Sequence, residues 1–254
     1  MYKSERQDKI YSILEKKGYM SLDELCEALF CSRSTLRRDL IEMEDMGVII
    51  RNRGGVYFSK ARNKEYSSLY RNMANFEGKR FIARLSANLV QDNMTIFMDS
   101  SSTVLSLCEF LKSKNNITIL TNGISTAANL IENNCCEKTM IAGGFIKKGS
   151  TSVIGEDASR YFEQFKADIS FISCMGIDEE GLYEASQHQA QVKRCMMKNS
   201  KYTVLMCDST KFGKSYFYKL ARYNNISMIV TDREPIGKLK ESILNNSCGV
   251  VFSE

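Results

Sequence analysis

The chain has 254 residues with 35 basic and 30 acidic side chains, long enough for a small and a medium domain, and its net charge of +5 permits contact with nucleic acid without demonstrating it. Hydrophobic (43%) and charged (26%) fractions are those of a globular protein, and no apolar run approaches the roughly 18 residues of a membrane span, so no membrane partner is expected. Nine cysteines without a C-x-x-C pair and a single histidine, His188, argue against a zinc site and against histidine-based nucleophilic catalysis; the expectation is reduced, mostly buried thiols, no metal and no cofactor.

The first six residues, Met1-Tyr2-Lys3-Ser4-Glu5-Arg6, are charged and flow into a helical pattern rather than into a signal peptide's apolar stretch, which points to a cytoplasmic protein. Ser4-x-x-Gln7 reads as a capping box ahead of Ile10, Ile13 and Leu14, and Gly18 as the stop, which predicts a helix over roughly residues 5–17. A second capping box, Ser21-x-x-Glu24, opens a short helix carrying Leu22, Leu25 and Leu29, and Phe30-Cys31 turns the chain into Ser32. Ser32 is the N-cap of a third helix with Leu36, Leu40 and Met43 on its apolar side and Gly47 as its stop. At about 100° per residue, Ser34, Arg37 and Arg38 fall opposite that side and Arg33 flanks it. A guanidinium's fork of donors suits both phosphate oxygens and the O6/N7 edge of guanine, so this is a helix shaped to lie in a DNA major groove.

Val48-Ile49-Ile50 and Val56-Tyr57-Phe58 read as two short strands joined by a basic turn, Arg51-Asn52-Arg53-Gly54-Gly55, and the whole reads as a winged helix-turn-helix. Residues 1–60 carry eleven basic and ten acidic side chains, so only the reading face is basic. The competing arrangement is a solvated face in which the arginines pair with Asp39, Glu42 and Glu44. Residues 1–59 form the expected DNA-binding domain, 60–78 a polar, tyrosine-dotted linker with one helix around Leu69–Phe76, and 79–254 a second domain.

In the second domain apolar runs alternate with amphipathic ones. Strands are predicted at Thr95–Asp99, Ile117–Thr121, Thr139–Ala142, Ile169–Cys174, Thr203–Cys207, Ile226–Thr231 and Gly249–Phe252. Helices are predicted at Lys79–Gln91, Thr103–Lys112, Ile124–Asn133, Asp157–Phe165, Gln189–Asn199 and Ile236–Asn245. The alternation implies an α/β domain with a mainly parallel sheet covered on both faces. Ligands of such sheets sit beyond the strands' carboxyl ends. There the chain has Asp99-Ser100-Ser101-Ser102-Thr103 at a helix start, Thr121-Asn122-Gly123, and Gly143-Gly144, with a further glycine turn near Gly155. Hydroxyls and free amides at these ends predict an anion site, for which Lys193 and Lys211 are the cationic partners.

Ser32-x-Ser34-Thr35-Leu36-Arg37-Arg38-Asp39-Leu40, followed by Gly47-Val48-Ile49-Ile50-Arg51-Asn52-Arg53-Gly54-Gly55-Val56, resembles the DNA-binding region of the DeoR family of bacterial transcription regulators. It departs from that family at Arg53, where histidine is more usual before the glycine pair. Downstream, Asp168–Asp178, Gly181-Leu182, Gln191-Val192-Lys193-Arg194 and Cys207–Gly213 resemble the family's effector-sensing domain, so the likeness covers nearly the whole chain. Here the chain departs at Ser101, where the family has glycine, and in Gln187–Gln191, which lacks the usual acid.

The resemblance implies a sensor fold like ribose phosphate isomerase, a phosphorylated sugar or related metabolite as effector, and a non-enzymatic repressor of carbohydrate-metabolism genes that binds double-stranded operator DNA as a homo-oligomer. The expected DNA-binding residues are Arg33, Ser34, Thr35, Arg37, Arg38, Arg51 and Arg53. The expected effector residues are Asp99, Ser100, Ser101, Ser102, Thr103, Thr121, Asn122, Gly143, Gly144, Asp178, Lys193 and Lys211. The alternative is a sugar-phosphate isomerase-like enzyme with an accessory DNA-binding domain, using Asp99, Asp178 or Asp208 as its carboxylate base and Lys193 or Lys211 as electrophile.

Overall fold

A computed structural model describes residues 3–52, 54–58, 71–72, 74–147 and 149–252, and the chain divides into two compact units, Met1–Asn75 and Phe76–Glu254. In the first, helices α1 (Lys3–Lys17), α2 (Leu22–Leu29) and α3 (Arg33–Asp45) are followed by strands β2 (Ile49–Asn52) and β3 (Gly55–Phe58). The periodic apolar residues meet as expected: Ile10, Leu14, Leu25, Leu29, Leu36, Leu40 and Met43 are buried together with Val48, Ile49 and Val56. The Ser21–Glu24 capping box is formed, and the Ser32 side chain accepts from the Thr35 amide at the start of α3. Ser4 lies inside α1, which starts at Lys3, so it is not that helix's N-cap.

Two features of this unit are absent from the sequence reading. Tyr19–Met20 forms a strand, β1, that pairs antiparallel with β3, so the wing is a three-stranded sheet of order β1-β3-β2. Arg51 and Asn52 belong to β2 rather than to the turn, paired with Val56 and Gly55. Gly55 has φ +157°, and a Cβ there would lie 2.5 Å from the Met20 carbonyl oxygen, so the close approach of β1 to β3 requires glycine.

The burial of Asp39 is a third such feature. The residue lies on the same stripe of α3 as Leu36 and Met43 and is only 2% exposed. Arg6 of α1 meets it with two donors, Nε to Oδ2 at 2.5 Å and Nη2 to Oδ1 at 3.2 Å. The pair fixes α1 against α3, because a carboxylate taken out of water needs a charged, hydrogen-bonded partner.

All seven strands predicted in the second unit form one parallel sheet. They are β4 (Thr95–Met98), β5 (Thr118–Thr121), β6 (Lys138–Ile141), β9 (Ala167–Ile172), β12 (Ser200–Met206), β14 (Met228–Val230) and β15 (Gly249–Val251), in the order β15-β14-β12-β9-β4-β5-β6. Two buried apolar clusters include residues of these strands, one with Phe97, Leu120, Ile172, Leu205 and Ile229, the other with Ile96, Met98, Ile119, Phe171 and Val204, which is why the strands read as continuous apolar runs.

Helices α4 (Phe76–Ala87), α6 (Ile124–Glu132), α7 (Glu156–Glu163), α8 (Gln187–Lys198) and α9 (Gly237–Asn245) stand where helices were predicted, with shifted ends. The predicted Thr103–Lys112 helix is instead one short turn, α5 (Ser102–Leu105), running into a 3-10 segment, Ser106–Phe110. The hairpin β7 (Phe145–Ile146) with β8 (Val153–Ile154) was not predicted, nor was the small antiparallel sheet of β10 (Gly176–Asp178), β11 (Gly181–Glu184) and β13 (Tyr218–Ala221). Of the expected Leu69–Phe76 helix, residues 69, 70 and 73 lie outside the described residues; 71–72 are helical, 74–75 form a turn, and Phe76 begins α4.

Replacing Arg6 by alanine leaves the Asp39 carboxylate buried without its two donors. Arg6→Ala is expected to lower the stability of the first unit by about 1.5–3 kcal/mol, the worth of hydrogen bonds to a charged group, read as the midpoint of its unfolding transition in urea.

Candidate DNA-reading face and effector site

On α3, Arg33, Ser34, Arg37 and Arg38 are exposed and Thr35 is half-buried, its hydroxyl 2.9 Å from the Ser32 cap. The acids that would neutralise the arginines are held elsewhere. Arg6 takes Asp39; Lys3 Nζ reaches Glu42 at 2.6 Å and Gln7 Nε2 reaches it at 3.0 Å; the Arg51 amide and Nε both donate to Glu44 at 2.8 Å. Those contacts hold the Glu42 and Glu44 carboxyls below the usual range, Glu42 chiefly through Lys3 and Glu44 chiefly through the Arg51 amide. Arg37 and Arg38 therefore have no ion-pair or hydrogen-bond partner among the described residues.

Arg33 pairs with Asp23 of α2, but both side chains are 65% exposed, so water competes with the pair. Arg51 is tied to Glu44 at the base of the wing, and Arg53 lies outside the described residues. The Asn52 carboxamide oxygen accepts from the Gly54 and Gly55 amides and shapes the turn.

In the second unit the sheet order places β4 between β5 and β9. From β4 the chain proceeds one way through β5 and β6; from β9 it proceeds the other way through β12, β14 and β15. That reversal makes the carboxyl ends of β4 and β9 the topological switch point, where ligands of open parallel sheets bind. Asp99, fully buried after β4, bridges it: its Oδ2 accepts from the Ser173 amide after β9 at 2.8 Å, and its Oδ1 from the Ser101 amide at 2.8 Å.

Lys193 of α8 lies beneath this bridge. Its ammonium donates to the Ser173 carbonyl at 2.7 Å and to Glu184 at the end of β11, and sits 3.1 Å from Asp99 Oδ2. Burial pulls the Lys193 pKa down, but Asp99 and Glu184 outweigh it and leave the group more firmly protonated than a free lysine. Its three protons thus meet three protein acceptors, which gives Lys193 a positioning role rather than that of an open anion ligand. Glu184, three residues ahead of Gln187, is thus one of the two acids that meet Lys193.

Lys211 is differently placed. It ends the 3-10 segment Ser209–Lys211 after β12, with Nζ 2.8 Å from Ser173 Oγ and 3.5 Å from both Thr103 Oγ1 and Asp208 Oδ2. Burial lowers its pKa, and Asp208 together with Cys207 and Cys174 more than restores it. Ser209 is anchored by its amide to Asp232 Oδ1 at 2.6 Å. The ammonium overlooks the Ser102–Thr103 turn, where the Ser102 hydroxyl has no partner among the described residues. The other hydroxyls here are engaged: Ser101 Oγ caps the Val104 amide, and Ser100 Oγ lies 2.7 Å from Ser152 Oγ, which also receives Ser150 Oγ at 2.8 Å and Gln189 Nε2 at 3.3 Å.

Thr121 Oγ1 accepts from the Gly123 amide at 2.9 Å, and Asn122 donates to the Val153 carbonyl while its buried Oδ1 has no partner among the described residues. Gly123 needs its missing side chain, since a Cβ would lie 2.9 Å from Ser100 Cα. Three of the expected residues do other work. Gly144, with φ +142°, lets the chain pass the Ile154 carbonyl in the β7–β8 hairpin, and a Cβ at exposed Gly143 would touch nothing. Asp178 shapes the β10–β11 turn by accepting from the Glu180 amide at 2.8 Å. Sequence reasoning missed Ser173, Ser152, Gln189 and Glu184, which are polar residues buried at strand ends or on a helix.

A capped helix with unpaired guanidiniums beside a wing, joined in one chain to a parallel sheet whose switch point carries Lys211 over the Ser102–Thr103 turn, defines a DNA-binding protein with a sensor unit. The model of the DeoR-like helix-turn-helix domain matches residues 6–62 and that of the DeoR C terminal sensor domain residues 74–233, and the chain belongs to the DeoR family. It is 31% identical over 235 residues to the HTH-type transcriptional repressor GlcR of Bacillus subtilis (strain 168), covering 92% of this chain and 90% of that one. It is 29% identical over 237 residues to the glycerol-3-phosphate regulon repressor of Escherichia coli (strain K12), covering 92% and 93%. Among solved structures, the ribose 5-phosphate isomerase from Plasmodium falciparum aligns with 53% of this chain and 52% of its own, at 16% identity and a TM-score of 0.39. No helix among the described residues is long and apolar enough to cross a membrane.

Lys193→Met leaves Asp99 and Glu184 buried without their cation. The variant is expected to lose about 3–5 kcal/mol of stability with no ligand present, read as a lowered unfolding midpoint.

Proposed function

We propose that this chain is a cytoplasmic, non-enzymatic repressor of carbohydrate-metabolism genes whose grip on operator DNA is altered by a phosphorylated sugar or related metabolite. The observation that carries the reading is the state of α3: Asp39, Glu42 and Glu44 are bound to other elements, and Arg37 and Arg38 project from a capped helix with no partner among the described residues. Arg33, Ser34 and Thr35 at the helix start and Arg51 and Arg53 on the wing complete the duplex-binding set. Residues 1–59 read DNA, 60–78 connect, and 79–254 sense the effector.

The effector's phosphate is assigned to the Ser102–Thr103 turn under Lys211, with Asp99 and Lys193 fixing the turn from behind. Ser100, Ser101, Thr121 and Asn122 shape the wall beside it. The names of relatives, one a glycerol-3-phosphate regulon repressor, support a phosphorylated effector. Regulation requires the ligand to favour one arrangement by a coupling of about 1–3 kcal/mol. A two-fold operator requires at least a dimer with half-sites about 34 Å apart or a multiple of that. The isomerase alternative gains no support, because Asp99 is saturated by two amides and Lys193, and Asp178 serves a turn.

If Arg37 reads a base, Arg37→Ala is expected to cost about 1–3 kcal/mol in binding a duplex enriched by the wild-type chain from a random pool, and to relax preference at one position. Unchanged affinity in both Arg37→Ala and Arg38→Ala would contradict the role of α3. Titration of a sugar-phosphate panel is expected to change wild-type binding to that duplex, with the response lost in Lys211→Ala. A wild-type chain indifferent to the whole panel, or an undiminished response in Lys211→Ala, would remove the proposed site.

A further inference from the structure

Phe30 is a residue of the helix-turn-helix whose ring the fold does not use. It ends α2 with φ 49° and ψ 46°, the left-handed region, where a bulky side chain is strained and glycine or asparagine is at ease. Its backbone does the capping: the Phe30 amide donates to the Glu27 carbonyl at 3.3 Å and the Cys31 amide to the Cys26 carbonyl at 3.2 Å. The ring takes no part, being 97% exposed, more than any other large apolar side chain among the described residues. The fold thus retains an aromatic ring in a backbone conformation that disfavours it and in a place where it buries nothing.

Its position says what would cover it. Phe30 stands two residues ahead of Ser32, the cap of α3, and exposed Ser32, Arg33 and Ser34 follow it in sequence. In a helix-turn-helix the first residues of the second helix are those that reach base edges. The ring therefore extends the DNA-reading end of α3, and the apolar feature a major groove offers there is the thymine 5-methyl, a known partner for phenylalanine. Resting on the reading of α3 as the DNA-binding helix, we propose that Phe30 is a specificity-determining contact that packs against a thymine methyl of the bound duplex.

The experiment uses the full-length chain and the duplex it enriches from a random pool. Phe30→Gly and Phe30→Asn are expected to keep or raise the unfolding midpoint, since both relieve the left-handed strain, yet to bind that duplex roughly tenfold more weakly, whereas Phe30→Leu retains most of the affinity. Replacing thymines one at a time by deoxyuridine is expected to weaken wild-type binding about fourfold at one position, the worth of one buried methyl, and to leave Phe30→Gly unaffected there. Wild-type affinity in Phe30→Gly, or the absence of any thymine whose methyl matters to the wild type alone, overturns the contact. If Arg37→Ala weakens binding while Phe30→Gly does not, only this inference fails. If the wild type enriches no duplex, the reading of α3 fails and takes the inference with it.

Discussion

The bidentate pair of Arg6 with Asp39 is the interaction on which the first unit turns. A carboxylate on the buried stripe of α3 cannot stay charged without a cation, and α1 supplies one at 2.5 Å. Because Arg6 satisfies Asp39, and Lys3 and Arg51 satisfy Glu42 and Glu44, three of the four acids of α3 are spent on holding the domain together, and the fourth, Asp45, is its last residue. What remains on the outer face of its first two turns, at Arg33, Arg37 and Arg38, is positive. A domain with nearly balanced charge can thus present a cationic helix to phosphate and guanine, which the net charge alone would not suggest.

The sensor unit applies the same device at its switch point. Asp99 gathers the amides that follow β4 and β9, and Lys193, drawn in by Asp99 and Glu184, neutralises it from below. Burying this cluster is costly unless every partner is present, so it serves to hold two loops in register rather than to add stability over an apolar core. Lys211 then stands over a turn whose shape is already set, and a ligand arriving there would find little left to organise.

Much of this was legible in the sequence, and the reason is physical. The seven parallel strands announce themselves because both their faces are buried, and α3 because a hydroxyl cap precedes leucines at helical spacing. The strand Tyr19–Met20 does not, since two residues carry no period and its partners, Tyr57 and Val56, are far along the chain. Glu184 escaped for a like reason: one acid at a strand end reads as solvated until the fold sets Lys193 against it. Asp39 was findable, as a lone carboxylate among Leu36, Leu40 and Met43 demands a buried cation. The glycine pair at 143–144 was ambiguous, because a glycine that passes close to a hairpin, as Gly144 does, reads the same in sequence as one in a phosphate loop.

The claim that α3 is freed for DNA by the pairing of its acids is tested most directly by a crystal structure of the full-length chain on a duplex it enriches. The account requires the guanidiniums of Arg37 and Arg38 to lie within hydrogen-bond distance of bases or phosphates while Arg6 still holds Asp39. Guanidiniums folded back onto Asp39 or Glu42, with α3 outside the groove, would contradict it.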